Sequence, residues 1–174
     1  MPTNTDEPLA RRATSTDEPL ARRATSTEQV DVRGPRFAAW ATSVVLVLTL
    51  VVAGFSAPAA AVLLGLQAVV FAISALRGPQ LSPYGRVYAT LVAPRIGPVT
   101  EREPVPPLKF AQLVGLVFAV VGVFGFAKGL TLLGEIATAF ALVAAFLNAK
   151  FGICLGCRLY PLVARLRRTP ASVP

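Results

Sequence analysis

The sequence predicts an all-α membrane protein of four transmembrane helices, arranged as two parallel two-helix repeats. Three observations carry this reading. Of 174 residues, 54% are hydrophobic and 15% charged, and the mean hydropathy of +0.62 lies well above that of a soluble domain. The charges are excluded from long blocks of the chain. Short motifs recur in the same order in two halves. The net charge of +8 would also suit a nucleic-acid binder, but that requires clustered Lys and Arg on a polar fold with exposed aromatics. Nucleic acid is therefore excluded as a partner. The lipid bilayer is the expected one.

Residues 1–36 form a cytoplasmic tail predicted to be disordered. Residues 5–15 recur unchanged at 16–26 as an 11-residue tandem repeat, and six arginines balance six acidic residues. The apolar residues of the tail are too few to bury. Arg11-Arg12-Ala13-Thr14 and its copy at Arg22-Arg23-Ala24-Thr25 resemble basophilic kinase sites. Residues 37–168 are the membrane domain. No charge occurs over 37–76, a run that would reach roughly 60 Å as a single helix, about twice the hydrocarbon core. It must fold back at Gly54, Ser56 and Pro58, giving spans at about 37–55 and 59–76. A third uncharged run covers 110–127 and a fourth 130–149, interrupted only by Glu135. Residues 169–174 are a short C-terminal tail.

Basic residues flank the spans on one side. Arg33 and Arg36 precede the first; Arg77, Arg86, Arg95, Arg102 and Lys109 lie between the second and third; Lys150, Arg158, Arg165, Arg167 and Arg168 follow the fourth. Lys128 alone marks the opposite side. By the positive-inside rule both termini and the central loop are cytoplasmic. The seven prolines of that loop predict an extended connector, with Tyr84 and Tyr88 anchoring 84–92 on the membrane surface. Small residues at helical spacing predict packing seams: Gly65, Ala68, Ala72 and Ala75 on the second span, Gly115, Ala119 and Gly122 on the third, Ala137, Ala141, Ala145 and Ala149 on the fourth. Gln67, Gln112 and Asn148 can bond between helices. Glu135 reads as a snorkelling carboxylate, or one paired with Lys128.

The repeat is read from three matches. Arg36-Phe37-Ala38 returns as Lys109-Phe110-Ala111, Leu63-Leu64-Gly65 as Leu132-Leu133-Gly134, and Arg86-Val87-Tyr88 as Arg158-Leu159-Tyr160. Each unit crosses the membrane twice, so both copies share one orientation, about a pseudo-two-fold axis along the membrane normal. Ser82-Pro83-Tyr84-Gly85 then faces Cys154-Leu155-Gly156-Cys157. Only the second copy carries thiols.

Both cysteines of the chain fall in that segment, at a spacing that can close a disulfide or chelate a soft metal. A helix start and Arg158 beside Cys154 would favour its thiolate, the attacking form. A permanent disulfide is disfavoured on the cytosolic side. Histidine is absent, and two ligands half-fill a tetrahedral metal site, which a homodimer could complete with four thiolates. Alternatively, both thiols are small apolar packing residues. No cofactor is implied.

Phe151-Gly152-Ile153-Cys154-Leu155-Gly156-Cys157, with Arg33-Gly34-Pro35-Arg36-Phe37-Ala38 and Ser82-Pro83-Tyr84-Gly85, resembles an uncharacterised four-span membrane family of actinobacteria, catalogued as a domain of unknown function. The resemblance covers about residues 30–168. It implies a bacterial plasma-membrane location and thioredoxin-like or sulfurtransferase partners. The expectation is a relay of thiol-disulfide or persulfide equivalents in which Cys154 attacks, Cys157 resolves and Arg158 stabilises the thiolate. The alternatives are a membrane scaffold or accessory subunit with structural cysteines, and a small transporter using Glu135.

Overall fold

In the computed structural model, residues 29–99 and 101–160 are described. The tandem-repeat tail, its kinase-like tetrapeptides and the C-terminal tail lie outside the described residues, as do the basic residues beyond Tyr160.

A strand β1 (Gln29–Asp31) leads into α1 (Arg33–Ala53) and α2 (Ala57–Arg77). The central segment folds into a 3-10 turn (Pro79–Leu81), α3 (Pro83–Val87), a π-helical turn (Tyr88–Val92) and α4 (Ala93–Ile96). Strand β2 (Arg102–Pro104) precedes α5 (Val105–Ala127) and α6 (Thr131–Phe151), and the chain is helical again over 155–160. Helices α1, α2, α5 and α6 are long and apolar enough to cross a membrane. Each extends beyond its uncharged run at the end that carries basic residues, because the backbone needs caps, not hydrophobicity, to end. Ser56 Oγ accepts from the Ala59 N–H at 3.4 Å and Pro58 sits in the first turn of α2. Pro106 and Pro107 open α5, where a missing N–H costs nothing. Gly78 and Gly152, both at positive φ, close α2 and α6.

The central segment is not an extended connector. Pro79, Pro83 and Pro94 each fall in the first turn of a short helix, where proline starts a helix rather than breaking one. Its tyrosines point into the protein instead of anchoring in lipid. Tyr84 donates to Gln67 Oε1 at 2.7 Å, and Tyr88 is buried and donates to Asp31 at 3.0 Å.

The four long helices form a square in which α2 packs mainly on α5 and α1 on α6, closed by the hairpin contacts α1–α2 and α5–α6. A two-fold axis through the square exchanges α1 with α5 and α2 with α6. Seven pairs of buried residues obey it. Pro35, Leu46, Thr49 and Ala53 of α1 correspond, 73 residues on, to the buried Leu108, Ala119, Gly122 and Phe126 of α5. Ala60, Leu64 and Gln67 of α2 correspond, 74 residues on, to Gly134, Thr138 and Ala141 of α6. The Leu-Leu-Gly match of the sequence is therefore accidental: Gly134 corresponds to Ala60, and Gly65 has no counterpart in it.

Packing is small against large. Gly122 meets the Leu64 side chain and Gly115 the Phe71 ring, while Gly134 lies under Phe126. The core is Leu46, Leu64, Phe71, Ala119, Phe126 and Ala141 with small neighbours. The face of α2 that enters it bears Leu64, Gln67 and Phe71; of the small-residue stripe, Ala68 packs at the edge of the core while Gly65 meets nothing within 4 Å. A contact needs a small residue on only one of two facing helices, and α5 supplies it here. Buried hydroxyls bond within their own helix, Thr138 to the Gly134 carbonyl at 2.7 Å and Thr49 to that of Val45 at 2.9 Å. Gln67 also donates to Thr42 at 3.3 Å, joining α2 to α1. Large apolar side chains such as Val44, Leu48, Leu66, Val117 and Phe140 face outward.

Gly122→Val should lower the thermal midpoint in detergent, by an overpacking cost of about 1–3 kcal/mol. Gly65→Ala, which meets nothing within 4 Å, should leave the midpoint unchanged or raise it.

Candidate functional site

The end of the bundle that gathers the basic residues is organised by the sheet. β1 and β2 pair antiparallel, Gln29 with Pro104, Val30 with Glu103 and Asp31 with Arg102. Val30 and Glu103 are themselves 73 residues apart, so the central pair lies on the pseudo-two-fold axis. The surroundings follow the same relation. Phe37 packs on Tyr88 with centroids at 5.9 Å, and Phe110 on Tyr160 at 6.0 Å. Lys109 Nζ donates to the Leu76 carbonyl at the C-terminus of α2, and Arg36 lies over Gly152 at the C-terminus of α6. Each half thus places a cation on the negative end of the other half's second helix.

Two clefts flank the sheet and are related by the axis. The first, about 280 Å³, is lined by Val30, Asp31, Gly34, Pro35, Pro79, Gly85 and Tyr88 among others. The second, about 330 Å³, is lined by Glu103, Pro104, Pro107, Leu108, Gly152, Ile153, Cys154, Cys157 and Arg158. In the first, polar groups are consumed internally: Asp31 accepts from Tyr88 and from the Arg33 N–H, each at 3.0 Å. In the second, Glu103 replaces Val30, Cys154 replaces Ser82 and Cys157 replaces Gly85.

The replacement at Ser82 preserves a cap. Ser82 Oγ accepts from the Gly85 N–H at 3.0 Å at the start of α3. Cys154 Sγ accepts from the Cys157 N–H at 3.3 Å, and the Cys154 carbonyl accepts from the Arg158 N–H at 3.1 Å, so Cys154 caps the helix beginning at Leu155. Gly156 is buried against Ala111 of α5, which holds this turn to the bundle. Cys157 packs against Val30, Val105 and Leu108. Both thiols are half-buried and free.

Their acidities diverge. A hydrogen bond from the Cys157 thiol, with the N–H groups of Cys157 and Gly156, brings Cys154 below the ordinary cysteine range, against burial and the charge of Glu103. Cys157 is pushed up strongly by that same bond, and further by burial and by the negative charges of Cys154 and Glu103. The two shifts run in opposite directions, favouring the thiolate at Cys154 and the thiol at Cys157. Glu103 is itself raised, by burial first and then by Glu101, with Arg36 opposing. A carboxyl group shifted upward beside a thiol is placed to accept a proton from it.

Of the residues singled out from sequence, Cys154, Cys157 and Arg158 share this cleft. Arg158 is exposed at its lip, and the acidity of Cys154 comes from the Cys157 thiol and backbone amides rather than from the guanidinium. Glu103 was missed because it lies some 50 residues earlier in the chain. The repeat held the signal, since a carboxylate there occupies the position of a buried valine. Glu135 is the fifth residue of α6, at the opposite end of the bundle, and is half-exposed. No ion pair joins it to Lys128 among the described residues. Among the described residues, no three His, Cys, Asp or Glu side chains are grouped to hold a metal.

Fold and site together define a duplicated four-helix membrane protein with a dithiol and a carboxylate at its basic end. The chain belongs to the family of the domain of unknown function DUF4395, whose model matches residues 30–165. No curated protein and no solved structure matches it.

Iodoacetamide should alkylate Cys154 with a pH midpoint below the ordinary value for cysteine and leave Cys157 unmodified at neutral pH. Cys157→Ala removes the stabilising thiol, so the Cys154 midpoint should rise, read by mass spectrometry of quenched samples.

Proposed function

We propose that this protein exchanges thiol-disulfide or persulfide equivalents with a soluble thioredoxin-like or sulfurtransferase partner at the cytoplasmic face of a bacterial plasma membrane. The observation that carries the reading is the pair of free thiols at the start of one helical turn, Cys154 Sγ accepting the Cys157 N–H at 3.3 Å, in a cleft that also holds a carboxylate; the opposite shifts of their acidities support it. The orientation is supported by the charges. Arg33, Arg36, Arg77, Arg86, Arg95, Arg102, Lys109, Lys150 and Arg158 belong to the sheet end, and Lys128 lies at the hairpin end.

Cys154 thiolate attacks one sulfur of a partner disulfide, forming a mixed disulfide as the partner's other sulfur leaves as thiolate. The negative charge of Cys154 is then gone, and with it the strongest influences holding Cys157 protonated. Cys157 gives its proton to Glu103 and attacks Cys154 Sγ, releasing the second partner thiolate. The dithiol has become a disulfide and the partner's disulfide a dithiol, two electrons having moved. With a persulfide, Cys154 attacks the outer sulfur and the partner leaves as a thiolate, with no net oxidation. Arg158 at the lip offers a charge to an acidic partner surface.

With a thioredoxin as partner, Cys157→Ser should accumulate a mixed disulfide on Cys154, and Cys154→Ser should accumulate none. Glu103→Gln should slow release from the mixed disulfide by roughly 10²-fold at neutral pH, the usual scale for losing a positioned base, with initial attack maintained. Exchange at wild-type rates in both cysteine variants, on non-reducing gels, would overturn the reading.

A further inference from the structure

Cys154 lines a second cavity besides the charged cleft. It measures about 240 Å³ and runs from the Cys154-Leu155-Gly156 turn into the membrane-spanning part of the bundle. Its walls include Phe71, Phe118 and Phe140, with the Phe71 ring lying on Gly115. Outward-facing Phe140, Val143, Leu155 and Leu159 contribute to its rim, so it communicates with the lipid-facing surface. Two amides also line it, Gln112 on α5 and Asn148 on α6. Among the described residues their side chains make no hydrogen bond. Both are half-buried toward the sheet end of their helices, so their amides are open to a ligand in the cavity.

From this juxtaposition we infer that Cys154 joins two substrate sites, and that the cavity receives a membrane-dissolved quinone, which takes the electron pair of the dithiol. The inference rests on the dithiol reading above. A quinone matches the cavity in three ways. Its flat ring stacks on aromatic walls, its two carbonyl oxygens accept from the Gln112 and Asn148 amides, and its isoprenoid tail leaves through the lipid-facing rim. A soluble partner reaches the same sulfur from the other side, through the cleft of Glu103 and Arg158.

The reaction balances within these groups. Cys154 thiolate adds to the quinone ring, forming an S–C bond. Cys157 passes its proton to Glu103 and attacks Cys154 Sγ; the S–S bond forms as the S–C bond breaks. The electron pair departs with the ring, which takes one proton from Glu103 and one from water to become the hydroquinone. The dithiol is oxidised by two electrons and the quinone reduced by two. A soluble dithiol partner can then reduce the disulfide and complete a cycle from soluble thiols to the quinone pool.

The test uses the full chain in lipid nanodiscs, reduced, desalted and kept anaerobic. The reagent is a short-tailed ubiquinone, whose fully substituted ring resists arylation by thiols. Quinone loss is followed by ultraviolet absorbance and thiol loss by mass spectrometry, with hydroxyethyl disulfide as a water-soluble oxidant in parallel. The expected result is one hydroquinone formed per dithiol oxidised, and none with Cys154→Ser. Gln112→Leu and Asn148→Leu should each slow quinone reduction roughly tenfold or more, as expected for a lost buried hydrogen bond to the ligand, while leaving oxidation by hydroxyethyl disulfide unchanged. Oxidation by the soluble disulfide without quinone consumption, or wild-type quinone reduction by both amide variants, would overturn the inference and leave the soluble relay standing. A dithiol that reacts with neither oxidant would overturn both.

Discussion

Hydrocarbon neither hydrogen-bonds a polar group nor drives apolar surfaces together, and this constraint accounts for most of the molecule. Association has to come from close fit. The fit is obtained by setting Gly115, Gly122 and Gly134 beneath Phe71, Leu64 and Phe126. Hydroxyls that would be stranded turn back on their own helices. Large aliphatic side chains are released to the outside, where lipid receives them. Polar groups that cannot be silenced this way collect at the sheet end, and the chemistry collects with them.

Duplication gives that end its form. Two copies of a helical hairpin, each preceded by a strand and followed by a capped turn, are related by an axis through the Val30–Glu103 pair. The axis pairs aromatic with aromatic and cation with helix terminus, and it generates two equivalent clefts. In one, the polar groups bond one another around Asp31 and Tyr88. The other holds two sulfurs and a carboxylate. The Ser82 and Cys154 caps show how little had to change, since each accepts the same backbone hydrogen bond. The two differ in the capping atom, a hydroxyl oxygen in one half and a thiol sulfur in the other.

Much of this was legible in the sequence. Charge exclusion marks the long helices, and the Arg-Phe-Ala and Arg-x-Tyr matches mark true equivalents, because those residues serve the same contacts in both halves. The Leu-Leu-Gly match misled because such tripeptides recur by composition in apolar helices. The packing face of α2 was illegible for a related reason: complementarity is a property of two helices, and one helix's pattern does not say which partner supplies the small residue. The central segment was misread because proline both breaks and begins helices, and local sequence does not separate the two. Glu103 was hidden by distance along the chain, and only the fold brings β2 beside the dithiol.

The place of Glu103 on the axis has a consequence for how such a site can arise. Directly opposed residues of an antiparallel pair stand about 5 Å apart, so whatever occupies this position in one copy confronts its counterpart in the other. Two identical hairpins assembled as a homodimer would oppose carboxylate to carboxylate, or valine to valine. A lone acid against an apolar neighbour requires two copies that differ, as the two halves of this chain do. Divergence between the halves is the condition for the asymmetric centre, and no symmetric dimer of either half alone could reproduce it.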